Sequence, residues 1–224
     1  MAITLKDDDK KISTILDFYK LTTKLKDTLR SGWKVWGVKR ARVESVAEHI
    51  FGTCMLALAV WSETLPEINI SEVITMLVLH ETEEILIGDI TPHDDEDKQK
   101  LKAQGQKQVL KVFENLVAKD AYFKLVKDFD EQKTPEAIFA KKCDKLECDL
   151  MARLYSDEGV LKGEELKDKK ISNVVEQLKK KGVTDVADFF IINDRKYFND
   201  KDIFSKINKH IEGKKIWNTK KMAK

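Results

Sequence analysis

Residues 44–61 read ESVAEHIFGTCMLALAVW. Ser45 followed by Glu48 has the spacing of a capping box, in which the hydroxyl accepts a backbone N–H three residues on and the carboxylate reaches back. From this start to about Trp61 the run is apolar nearly all round. A helix with no polar face must be enclosed by its neighbours. The stretch therefore predicts a central, buried helix, with His49 one turn into it.

The flanking sequence supplies the enclosing layers. Residues 11–30 carry Ile12, Ile15, Leu16, Tyr19, Leu25 and Leu29 at helical spacing. Residues 31–43, with Gly32, Trp33, Trp36 and Gly37, read as a loop rich in aromatic and basic side chains. Beyond Pro66, Ser71 is placed to cap a third helix, EVITMLVLHETEEIL, which Gly88 ends. Residues 89–100 read as an acidic loop, and a further helix is expected over about 101–118. Thr134-Pro135-Glu136 is another helix start, with a cap, a proline in the first turn and an acid beside it. Two or three more lysine-rich helices are expected over 171–213.

Three prolines and nine glycines in 224 residues are too few for the turns of an all-β fold. The expected class is all-α: one compact helical domain over residues 1–160, with a helical extension over 161–224 packed on it. The formal net charge of +2 gives no reason to expect a surface that coats a nucleic-acid polymer or a membrane. No apolar run reaches transmembrane length, and MAITLKDDDKK at the start lacks the apolar core of a signal peptide. Cys54, Cys143 and Cys148 lack zinc-knuckle spacing and read as free packing thiols in a reducing cytoplasm.

Four histidines occur in the chain. His80 ends the apolar run MLVLH and meets a cluster of acids, Glu81, Glu83 and Glu84, with Asp89 past Gly88. On a continuous helix His80, Glu81 and Glu84 share a side while Glu83 points elsewhere. Unpaired buried charges are costly, and a divalent cation held by imidazole and carboxylate removes that cost. Asp144, in the apolar pattern of CDKLECD, completes a candidate ligand set from three helices: His49, His80, Glu81 and Asp144. A plainer account is also available: core histidines, a solvated acidic helix end, and Asp144 paired with Lys141 or Lys145. His93 is the one further imidazole nearby and reads as a solvated loop residue.

ESVAEH at 44–49, VLHETEEILIGDITP at 78–92 and KKCDKLE at 141–147 together resemble the HD-domain metal-dependent phosphohydrolases. The similarity is to the 5′-deoxynucleotidase-like branch, which SGW at 31–33 and TPEAIFAKKCDKLE at 134–147 also match. It covers roughly residues 12–155. The resemblance implies an HD-type helical bundle, one divalent transition metal (Mn, Co, Fe, Ni or Zn) on His49, His80, Glu81 and Asp144, and a homodimer. It implies that Glu84 handles protons on the attacking water, that Asp89 contacts water or sugar, and that Trp33 orients the phosphate. Among the loop cations Lys34, Lys39, Arg40 and Arg42, Lys34 is the chosen phosphate neighbour because it adjoins Trp33.

Two departures from the family pattern stand out. Val43 occupies a position where the branch has proline. Glu81 replaces the family's aspartate, and its extra methylene moves the carboxylate by about one bond length, ~1.5 Å. Either the helix shifts, or the metal is held more loosely, or Glu81 does not ligate. The expected activity is hydrolysis of a small nucleotide, a (deoxy)nucleoside 5′-monophosphate, by metal-activated water. A catalytically weak nucleotide-binding sensor and a helical interaction protein are the alternatives.

Overall fold

The structure is a computed structural model that describes residues 5–91, 97, 100–101, 104–163, 166 and 169–217. His93 and most of the acidic stretch after Thr91 lie outside the described residues. Among the described residues the fold is all-α, and an isolated bridge between Leu29 and Ser45 is the one strand-like pairing.

Helix α1 spans Leu5–Thr22, and two short helices follow, α2 (Lys24–Asp27) and α3 (Ser31–Val35). The expected aromatic loop thus contains one helical turn that carries Trp33. Helix α4 (Val46–Thr64) begins on the full capping box: Ser45 Oγ accepts from Glu48 N–H, and the Glu48 carboxylate accepts from Ser45 N–H at 2.7 Å. His49, Thr53, Ala57 and Val60 form its buried stripe. The opposite side is less enclosed than its composition implies, since Phe51, Met55 and Leu58 are exposed.

The expected third helix is two helices. Asn69, rather than Ser71, caps α5 (Ile70–Leu79) by accepting from the N–H groups of Ser71 and Glu72. The chain then turns through residues 80–83, with Thr82 N–H bonded to Leu79 C=O at 3.0 Å and Glu84 N–H to Glu81 C=O at 3.1 Å. The Thr82 hydroxyl also bonds the Leu79 carbonyl. Helix α6 (Glu84–Ile87) ends at Gly88, whose φ of +74° suits glycine. Hydrophobic spacing reports which face is buried, and it continues across this break.

Helix α7 (Gly105–Phe113) is shorter than expected, and α8 (Lys119–Glu131) was not singled out by the sequence pattern. The long α9 (Pro135–Asp157) starts as read, with Thr134 Oγ1 accepting from Ala137 N–H and proline in the first turn. Helices α10 (Lys169–Lys180), α11 (Val186–Asp194) and α12 (Ile203–Ile211) follow. Helix α9 is the axis of the molecule and packs against α4, α5, α8, α11 and α12.

Three apolar clusters hold these layers. One joins α4, α5 and α9 through Ala57, Val73, Met76, Leu77, Ala140 and Leu146. A second sets Trp33 and Trp36 against Ala152, Tyr155, Val186 and Ala187, so α11 is tied to the aromatic turn. A third closes the far end with Leu25, Val46, Ile85 and Phe113. Each large apolar side chain fully buried in this way contributes about 1.5–3 kcal/mol before conformational entropy is subtracted.

Candidate metal centre

Four side chains from three segments converge between α4, the end of α5 and α9. The ligand atoms of His49, His80, Glu81 and Asp144 all lie within 4.8 Å of one another. Asp144 Oδ1 is 3.3 Å from His49 Nε2 and 3.8 Å from His80 Nε2. Glu81 Oε1 is 3.6 Å from His80 Nε2 and 3.9 Å from His49 Nε2. His80 and Glu81 reach this point from the turn after Leu79.

Both imidazoles are oriented through Nδ1. His80 Nδ1 donates to the Leu77 carbonyl at 2.7 Å, and His49 Nδ1 lies 2.6 Å from Glu147 Oε2. Each ring therefore turns Nε2 toward the shared point, and each Nε2 is buried without a hydrogen-bond partner. Buried polar atoms without partners are rare. Two of them facing two carboxylates, in a site with no thiolate, form a donor set that fits a divalent cation.

The electrostatics agree with that fit. Burial keeps His80 below its ordinary value and hence neutral, the form that ligates a metal. For His49, burial and Arg30 oppose a charge, but Glu147 and Asp144 outweigh them and raise it to about 9. The pocket thus favours positive charge. Burial resists ionisation of Asp144, yet Lys145 and Lys141 hold it well below the usual carboxylate range. Those lysines bind its outer oxygen Oδ2, at 2.9 Å for Lys141 and 3.4 Å for Lys145, while Oδ1 faces the imidazoles. The lysine pairing and the inward placement of Asp144 hold together.

A cavity of about 370 Å³ opens over this cluster. Its lining includes His80, Glu81, Asp89 and Asp144, the cations Arg30, Lys141 and Lys145, and the aromatic residues Trp33, Trp36, Phe129, Phe189 and Phe190. Trp33 is 3% exposed, stands edge-on to Tyr155, and donates its indole N–H to Glu44 at 2.6 Å. Asp89 accepts from Ser31 N–H at 2.5 Å and Ser31 Oγ at 3.0 Å, which ties the end of α6 to α3.

Other sequence expectations are placed differently. Lys34 is exposed and absent from the lining. Arg40 pairs with Glu158, and Arg42 with the capping residue Glu48. Besides Lys141 and Lys145, the cation beside the cluster is Arg30, 3.2 Å from Glu81 and 3.7 Å from Asp89. Its nearness in sequence to Trp33 was the available signal. Glu83 lines the cavity, whereas Glu84 is buried against Glu81. Glu84 thus stays beside Glu81, as the helical spacing implies, while Glu83 also reaches the cavity wall. Burial, Glu81 and Asp89 push Glu84 up to about 11, so it holds a proton. Glu147, on His49 Nδ1, is marked in the sequence only by standing one turn after Asp144 on α9.

A family model described as "HD domain" matches residues 22–186. The chain is 32% identical over 155 residues to the 5′-deoxynucleotidase HDDC2 of Dictyostelium discoideum, covering 66% of this chain and 80% of that protein. It is 29% identical over 147 residues to the Homo sapiens protein of the same name, covering 64% and 69%. A crystal structure of a Pyrococcus horikoshii protein superposes with a TM-score of 0.58 at 23% identity, covering 88% of this chain and 97% of that one. A predicted metal-dependent phosphohydrolase of Magnetospirillum magnetotacticum superposes with a TM-score of 0.56 at 22% identity, covering 88% and 97%. These two superpositions show the shared fold. Taken with the matched segment and the curated relatives, they mean that this chain belongs to the HD-domain family, in the branch that holds the 5′-deoxynucleotidase HDDC2 proteins.

Proposed function

We propose that the chain is a divalent-metal-dependent phosphohydrolase that releases phosphate from a small nucleotide, a (deoxy)nucleoside 5′-monophosphate. The observation that carries this reading is the pair of buried, unpartnered Nε2 atoms facing Glu81 and Asp144 at the base of a cavity. The curated relatives named as 5′-deoxynucleotidases support the substrate class.

His49, His80, Glu81 and Asp144 would hold the cation. When bound, it supplies Lewis acidity that polarises a phosphoryl oxygen and acidifies water. Arg30, Lys141 and Lys145 place positive charge around the same cavity and bind the phosphate dianion. Trp33, Trp36, Phe189 and Phe190 give the nucleoside an apolar wall. Glu84 carries the proton traffic: its buried, protonated carboxyl gives its proton to the leaving alkoxide, and the carboxylate so formed takes up the proton of the attacking water. Asp89 fixes the α3 turn through Ser31 and contacts the sugar or water.

Two imidazoles and two carboxylates without thiolate suit Mn, Co, Fe, Ni or Zn, and metal analysis of untagged protein identifies which. The division into a metal-binding part, residues 1–160, and an extension, 161–224, belongs to the same reading, with α11 lending Phe189 and Phe190 to the cavity. A homodimer is supported by the exposed apolar side chains Ile12, Ile15, Leu16 and Tyr19 of α1 and Phe51 and Met55 of α4. A cytoplasmic setting is supported by the three free cysteines. No helix among the described residues is long and apolar enough to cross a membrane.

The test is phosphate release across a panel of nucleoside and deoxynucleoside 5′-monophosphates and sugar phosphates, with Mn²⁺ or Co²⁺ and with chelator. Metal-dependent turnover on nucleotides is expected. Thermal stabilisation by a nucleotide without turnover would replace the hydrolase with the sensor, a reading motivated by the Arg30–Glu81 ion pair.

A further inference from the structure

Helix α4 carries a half-buried glycine, Gly52, in its interior, three residues after His49. Glycine is among the poorest residues for a helix interior, so Gly52 needs a reason. A Cβ built there would stand 2.5 Å from Glu147 Oε1, 3.1 Å from its Cδ and 3.2 Å from its Cγ. The Glu147 carboxylate is 8% exposed and is held by its other oxygen, Oε2, 2.6 Å from His49 Nδ1. A methyl group at position 52 therefore forces this carboxylate to shift, and Oε2, the oxygen on the imidazole, shifts with it.

The two helices share a pattern. Helix α4 supplies the ligand His49 and, three residues on, the space at Gly52. Helix α9 supplies the ligand Asp144 and, three residues on, the carboxylate Glu147. Residues three apart share a helix face, so the carboxylate is delivered into the gap beside the ring it must orient. A carboxylate on one imidazole nitrogen fixes the tautomer and makes the other nitrogen a better ligand.

We propose that Gly52 and Glu147 form a positioning pair for His49, with the glycine present to admit the carboxylate that aims Nε2 at the metal. This rests on the metal-centre reading above. Neither residue touches the cation or the substrate.

The experiment titrates Co²⁺ into metal-free protein, followed by calorimetry and visible absorption. It compares the parent with Gly52→Ala, Glu147→Ala and the double variant. Each single variant is expected to lose about 10- to 100-fold in Co²⁺ affinity. Metal-free Gly52→Ala is expected to keep its circular dichroism and melting temperature, since alanine favours the helix. The double variant is expected to lose no more than Glu147→Ala alone, because the methyl then meets no carboxylate. Parent-like affinity in Gly52→Ala, or additive losses in the double variant, would overturn the pairing. If Glu147→Ala fails to fold, Gly52→Ala alone decides. A parent that takes up no Co²⁺ removes the metal-centre reading as well, whereas a binding parent with an unaffected Gly52→Ala removes this inference alone.

Discussion

The indole N–H of Trp33 is bonded to Glu44 at 2.6 Å, and a Glu44 oxygen lies within 4.8 Å of ligand atoms of both His49 and Glu147. The aromatic wall of the cavity and the orienting carboxylate of the metal centre are thus neighbours. Burial and Glu147 raise Glu44 to about 7, against the opposing Trp33 bond. Trp33→Phe keeps the ring but leaves a buried carboxyl without its donor. The expected cost is about 1–3 kcal/mol, read as a lower melting temperature. An unchanged melting curve would show that the bond does no work.

Chelator should abolish phosphate release, and added Mn²⁺ or Co²⁺ should restore it. His80→Ala removes one of two unpartnered Nε2 atoms and should abolish measurable metal uptake at stoichiometric cation. The metal should also raise the melting temperature, since a ligand at about 100 times its Kd adds roughly 2.7 kcal/mol. Calorimetry and a thermal shift check both, and uptake by His80→Ala equal to the parent's would contradict the ligand assignment.

Glu84→Gln preserves size and burial and removes the exchangeable carboxyl proton. Metal affinity should stay within a few-fold of the parent's while kcat falls by about 10²- to 10⁴-fold, the usual share of a positioned acid or base. An active variant would pass the proton role to another group.

Arg153, 2% exposed on α9, binds Asp185 at 2.5 Å and also Asp188, fastening the start of α11. Arg153→Ala removes the charge partner of both carboxylates, leaving Asp185 with Ser156 Oγ and Ala187 N–H and Asp188 with Gly213 N–H. Breaking a buried pair costs about 3–5 kcal/mol; the low end is expected because the Asp185 side chain is 28% exposed. Loosening α11 should also raise KM more than it lowers kcat, because Phe189 and Phe190 ride on that helix. Steady-state kinetics separates the two parameters.

Asp149 is fully buried beneath α12, bonded to Asn208 at 2.8 Å. Burial and Asp194 raise it to about 8, against Asn208, Lys145 and Arg195. Its folded value exceeds the unfolded one near 4, so the folded state holds an extra proton between those limits. The stabilisation is full below pH 4 and is lost as pH rises toward 8, at no more than ~1.4 kcal/mol per pH unit. Asp149→Asn should flatten this part of the stability profile, gaining on the parent as pH rises. Parallel profiles from pH 4 to 9 would exclude the effect.

The residue pattern alone determined the all-α class, the capping box that starts α4 and the start of α9 at Thr134, and it nominated the four side chains His49, His80, Glu81 and Asp144 that the fold brings together. These are written in local spacing: a cap three residues from its acid, apolar residues at helical intervals, and imidazole beside carboxylate at the end of a buried run. Tertiary structure decided what local spacing cannot hold. The ladder breaks after Leu79, where the chain turns through residues 80–83, and in that turn Glu81 stands beside the imidazoles while Glu84 lies off the cavity wall. Arg30 and Glu147 acquired their places because α3 and α9 meet groups far away in the chain: Arg30 pairs with Glu81, 51 residues on, and Glu147 with His49, 98 residues back. A sequence lists the charges in order along the chain, but which of them are buried together depends on how the helices cross.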